Sequence, residues 1–143
     1  MAESDNVLTK LHDLLVYLVP QLNRFPRDQK FVLGDRIEVK LLEVQESCLR
    51  AYYGRDKRPH LIEANLGLEV TRHLIRLAHA LRYFSNHSYA VTAQKVDEVG
   101  RMIGGWLKSV SGVNGTPSST RLSVSVAAQS RRPAGAPADA QPA

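Results

Sequence analysis

The residues in this chain best able to ligate a metal or attack a substrate are five histidines and one cysteine, and their spacing favours neither. His12, His60, His73, His79 and His87 include no pair three or four residues apart. That separation stacks two imidazoles on one helix face, as a zinc site on a helix requires. They are expected to be surface or rim histidines, with no metal. Cys48 falls on an apolar helical stripe, the setting of a small buried hydrophobe. A lone cysteine excludes an intramolecular disulfide and suits a reducing compartment. The carboxylate pairs Glu43/Glu46 and Asp97/Glu98 fall on faces expected to be solvated. No glycine-rich phosphate loop follows a strand, and no motif argues for Ser-His-Asp chemistry. The expectation is a protein without catalysis or cofactor.

Basic residues carry more information. The formal net charge is +5, from 19 Lys and Arg against 14 Asp and Glu. Residues 1–113 hold sixteen of the cations and thirteen of the anions. Arg72 and Arg76 lie one helical turn apart, Arg36 and Lys40 likewise, and Arg101 and Lys108 are seven apart on one face. Arg55, Lys57 and Arg58 cluster in a turn. Any one such group describes a solvated face. Several in one domain also describe a surface for a polyanion such as RNA or DNA. Tyr52, Tyr53 and Tyr83 are candidates for base stacking, or for packing in the core or at its rim.

Four helices are needed to position these residues. Val7, Leu8, Leu11, Leu14, Leu15, Leu18 and Leu22 follow a helical period from a cap at Ser4-Asp-Asn to about Asn23, with Pro20 in the last turn. Pro26 and Asp28 restart the chain, and Leu33, Ile37, Leu41, Val44, Cys48, Ala51 and Tyr52 carry a second helix to about Tyr53. Gly54 closes it and Pro59 opens a third, spanning about His60 to Phe84. Ile62, Leu66, Val70, Leu74, Leu77, Leu81 and Phe84 make its principal stripe, with Leu61, Leu68 and Ile75 a second seam. A helix apolar on two sides is often covered by more than one neighbour, and self-association is one way to cover it.

The fourth helix, capped by Ser88 or Thr92, carries Val91, Val96, Val99, Ile103, Trp106, Leu107 and Val110. It also contains Gly100, Gly104 and Gly105, each costing roughly 1 kcal/mol against alanine. Gly100 and Gly104 share a face beside Trp106, a notch suited to close helix packing inside the bundle or at a subunit interface. The pattern is all-α, an up-down-up-down four-helix bundle over residues 1–110. Residues 111–143, rich in Pro, Ala and Ser, are expected to form a disordered tail, with a basic tethering arm as the functional alternative. No stretch is long and apolar enough for a membrane span and no signal peptide opens the chain, so a cytoplasmic location is expected.

Three blocks resemble a known family: Tyr17-Leu-Val-Pro20 with Pro26-Arg27, then Gly67 through Ala78, then Asp97 through Leu107. The sequence is similar to the accessory variability determinant proteins (Avd) of diversity-generating retroelements. These are four-helix bundles related to the intervening-sequence proteins of ribosomal RNA genes. The resemblance implies a homopentameric barrel with a basic exterior, associating with the element's reverse transcriptase and with RNA or DNA during mutagenic copying. It implies binding roles for Arg72 and Arg76 and places Arg101 in a matched block. The alternative is a helical adaptor of the intervening-sequence branch, binding ribosomal RNA or another protein.

Overall fold

A computed structural model describes residues 2–111, and the expectation for the tail beyond them lies outside the described residues. Four long helices, α1 (Ala2–Leu22), α2 (Asp35–Tyr53), α3 (Arg58–Ala80) and α4 (Asn86–Ser111), account for most of it, with no strand among the described residues. A helical turn, Arg27–Gln29, and a π-helical turn, Lys30–Gly34, lead into α2. Helix α1 begins at Ala2, so Ser4-Asp-Asn lies inside it rather than capping it. None of the helices is long and apolar enough to cross a membrane.

Each helix runs antiparallel to the next. A Cβ on Gly67 of α3 would stand 2.8 Å from Val44 Cγ2 of α2. Arg72 of α3 reaches Asp97 of α4. Helix α4 returns along α1, where Lys10 pairs with Glu98 at 3.2 Å and Ser88 Oγ donates to Gln21 Oε1 at 3.1 Å. The core they enclose takes Leu11, Leu14 and Leu18 from α1, Ile37, Leu41 and Val44 from α2, and Val96, Val99 and Ile103 from α4.

Helix α3 departs from the expected pattern. Its buried face is Leu61, Ala64, Leu68, Thr71, Ile75 and Ala78, and most of the stripe expected to be principal turns outward, although Leu74 packs against the core and Phe84 is buried in it. Leu66 is 65% exposed, and Val70, Leu77 and Leu81 are also in solvent. Both faces carry enough hydrophobicity to be core. The inward face interleaves Ala64, Thr71 and Ala78 with bulky residues, and small side chains let neighbouring helices interlock at close range. The outward stripe has no such relief. Burial also pushes the Cys48 thiol up to about 12, leaving it a neutral hydrophobe rather than a nucleophile.

The helix ends are set by local chemistry, in places other than expected. Ser85, not Ser88 or Thr92, caps α4: its Oγ accepts the Ser88 N–H at 3.0 Å. Thr92 is fully buried mid-helix. Lys57 caps α2 from beyond its end, its Nζ donating to the carbonyls of Ala51, Tyr52 and Gly54 at 2.8–3.2 Å, where a cation also suits the helix dipole. Helix α3 ends at Ala80, short of Phe84. Tyr83 N–H donates to Ala78 O at 2.9 Å, Arg82 N–H donates to His79 O, and Arg82 sits at φ 68°. This is a Schellman closure with arginine where glycine is favoured. Arg82→Gly is therefore expected to raise stability by up to about 1 kcal/mol, read as an upward shift of the urea unfolding midpoint.

Candidate nucleic-acid interface

Of the six cations singled out by spacing, Arg72 and Arg76 come together, the others apart. Arg72 is the most constrained. Its Nη1 meets Glu69 Oε1 at 2.7 Å, and its Nε and Nη2 both lie 3.2 Å from Asp97 Oδ1. Gly100 makes the space: a Cβ there would be 2.6 Å from Arg72 Nη2 and 3.3 Å from Leu68 Cδ2. The Gly100 notch thus admits a guanidinium from α3 within the same chain. Gly104, expected to share that role, has nothing within 4 Å of its own Cβ position. Trp106 is buried in the core.

Two carboxylates offset the charge of Arg72, so its geometry is that of a helix-to-helix tie. Arg76, one turn on, is exposed. Both line a shallow cavity of about 170 Å³ with Tyr89, Val96 and Asp97. Arg101 and Lys108 lie exposed along α4. Lys40 faces a different opening, a groove of about 600 Å³ between α2 and α3, where it pairs with Glu43 at 2.9 Å. That groove mixes Glu43, Glu46 and Glu63 with Lys40 and Arg50, so it offers an anion no dominant charge. Arg36 is exposed at the start of α2. The turn cluster is also reassigned, because the Lys57 ammonium is turned onto carbonyls.

The histidines and tyrosines are equally dispersed. His79 stacks on Tyr89 with centroids 3.9 Å apart and meets Asn86 Oδ1 through Nε2 at 2.9 Å. Among the described residues no three His, Cys, Asp or Glu side chains are grouped to hold a metal. Tyr83 packs on Phe25, and Tyr52 packs edge-on against the exposed Tyr53.

A concentration of positive charge arises where two connections meet. Phe25, in the connection after α1, contacts Tyr83 and Phe84, in the turn after α3, at centroid distances of 5.4 and 5.1 Å. This aromatic cluster joins residues about sixty positions apart into one end of the bundle. Residues 23–36 and 76–87 together hold Arg24, Arg27, Lys30, Arg36, Arg76 and Arg82 against only Asp28 and Asp35. The rest of residues 2–111 holds ten cations against eleven anions, so the positive excess of the described chain lies at this end. Arg24, Arg27, Lys30 and Arg82 escape a search for helical spacing because they sit in turns. The sequence-level signal for them was the basic residues flanking Pro26, which acquire meaning only when Phe25 docks on Phe84.

Comparison with known proteins places these features in a lineage. No curated protein matches the chain. A family model described as bAvd-like matches residues 7–110, from the first buried position of α1, Val7, almost to the end of α4. With that match covering all four helices, the chain belongs to the bAvd-like family.

Proposed function

We propose that the protein is an accessory factor of a diversity-generating retroelement, binding the element's reverse transcriptase together with RNA or DNA in the cytoplasm and contributing no catalytic centre or cofactor of its own. The family match over residues 7–110 carries this reading. Exposed arginines on α3 and α4 support it, since guanidinium groups serve both carboxylates of a protein partner and phosphates. The experiment is co-expression of the full chain with that reverse transcriptase, followed by affinity capture and identification of bound RNA. Co-capture of the polymerase is expected. Arg76→Glu with Arg101→Glu should weaken it with helicity unchanged, because both side chains are exposed. Absence of any association with the wild-type chain overturns the reading, and recovery of ribosomal RNA alone points to the intervening-sequence branch.

The working unit is a homo-oligomer, a pentamer by family analogy. Leu66, Val70, Leu77 and Leu81 form an apolar stripe along the outer face of α3. Val39, Leu42, Leu49 and Tyr53 do the same on α2. Two adjacent outward seams on a hairpin are what a bundle needs to pack sideways into a ring. Light scattering is expected to give about five times the 15.9 kDa chain mass, and a monomer would remove the ring.

A further inference from the structure

We propose that the end of the bundle built from residues 23–36 and 76–87 is a binding site for single-stranded polynucleotide, with phosphates on Arg24, Arg27, Arg36 and Arg82 and a base on Phe31. This site shares only Arg76 with the α3–α4 arginines and deepens the nucleic-acid half of the reading above, on which it rests.

Electrostatics supply the first argument. At this end the C-termini of α1 and α3 meet the N-termini of α2 and α4. Two positive and two negative helix ends largely cancel, leaving side chains to set the potential. Six cations accompany two carboxylates there, and Arg24, Arg27, Arg36 and Arg82 are exposed with no ion pair among the described residues. Arg72, by contrast, is neutralised by Glu69 and Asp97. Uncompensated arginines concentrated at one end form the footprint of a polyanion.

The backbone supplies the second argument. The π-helical turn Lys30–Gly34 buries Leu33 and Gly34 and turns Phe31 and Val32 out to solvent. Phe31 is 65% exposed, and the Lys30 ammonium lies 5.6 Å from its ring centroid. Widened turns of this kind recur at functional sites. An exposed ring beside an ammonium, in a segment that also carries Arg24, Arg27 and Arg36, matches the platform on which unpaired bases stack, while cations hold the backbone. A paired duplex keeps its bases stacked on one another and gives the ring nothing to bind, so the arrangement favours single strands. The Phe25–Tyr83–Phe84 cluster ties the two connections together, so the cations of both share one end of the bundle before the ligand arrives.

The test uses the full chain with labelled oligouridylate, oligothymidylate and a blunt duplex, followed by fluorescence anisotropy across a salt series. Single strands of either sugar are expected to bind in preference to duplex. Combined Arg24→Glu, Arg27→Glu and Arg82→Gly should weaken single-strand binding at least about tenfold and reduce the slope of log K against log salt by about 2, since each phosphate contact contributes about 0.7. Phe31→Ala should cost roughly 5- to 100-fold on single strands and leave duplex affinity unchanged. The control is Lys10→Glu with Arg50→Glu, which removes a similar amount of charge from α1 and the far end of α2 and should leave single-strand affinity within about threefold, as long-range charge is screened at moderate salt. Loss of binding in the control but not in the end variant overturns the proposal while leaving a nucleic-acid function intact. Equal loss on single strands and duplex with Phe31→Ala, or polyglutamate competing as well as oligouridylate, makes the end a general anion surface and also overturns it. No binding of any polynucleotide by the wild-type chain removes the site, whereas capture of the reverse transcriptase would still stand.

Discussion

Leu68→Ala is expected to destabilise the bundle by about 2–5 kcal/mol, and Leu66→Ala, two positions away, to change the stability of the single chain by no more than about 0.5 kcal/mol. Leu68 is fully buried and its Cδ2 lies against the Gly100 notch of α4. Truncating it removes apolar burial and leaves a cavity that rigid neighbours do not collapse to fill. For a domain of this size the loss corresponds to at least about 8 °C in Tm. Leu66 is 65% exposed and loses little when shortened. Thermal unfolding followed by circular dichroism, at low protein concentration, separates the two. At higher concentration Leu66→Ala should lower only the concentration-dependent part of the stability, the part contributed by association through the outer seam. A larger single-chain effect at Leu66 than at Leu68 would restore the face suggested by hydrophobic spacing and invert α3.

Gly67→Ala and Gly104→Ala are expected to act in opposite directions, although both replace a glycine within a helix. Without a tertiary contact the exchange gains up to about 1 kcal/mol, because alanine has less backbone freedom to lose on folding. Gly104 has open space at its Cβ position, so Gly104→Ala should realise that gain. At Gly67 the new methyl would stand 2.8 Å from Val44 Cγ2. Val44 is buried and β-branched, with one strongly preferred rotamer in a helix, so it cannot swing aside. Either α2 and α3 separate locally or a valine rotamer is forced, at a net cost of about 1–3 kcal/mol. Urea midpoints of the two variants on either side of the wild type would confirm the contrast. A stabilised Gly67→Ala would mean that the helices are not in close approach there.

These contrasts mark how far the chain could be read before it was folded. The stripe Ile37, Leu41, Val44, Cys48 and Ala51 reads unambiguously because α2 has charged residues interrupting its outer seam, at Asp35 and Glu46. Helix α3 has two uninterrupted candidates, and hydrophobicity alone ranks the bulkier one first. Packing prefers the face with small residues, and that preference appears only when two partners compete for the same space. The glycines show the same limit. A helical glycine announces a close approach without naming the partner, and for Gly100 the partner is the Arg72 guanidinium.

The candidate interface was legible in part. Spacing along a helix found Arg72 with Arg76 and Arg101 with Lys108, since periodicity is a local property. It could not distinguish the neutralised Arg72 from the exposed Arg76, because Asp97 arrives from another helix. Nor could it find an end made of Arg24, Arg27, Lys30 and Arg82, whose members lie in two connections and share no period.

By itself, the sequence determined an all-helical fold for the described residues, the approximate limits of four helices, the burial of Cys48 and membership of the bAvd-like family. The first three follow from composition and from the 3.6-residue period, which act over one or two turns, and the membership from the match over residues 7–110. Only the tertiary structure decided which stripe of α3 faces inward, which glycine receives a neighbour and where positive charge accumulates. Those outcomes depend on side chains distant in sequence occupying or vacating a common volume, and on carboxylates arriving from other helices to cancel or spare each cation.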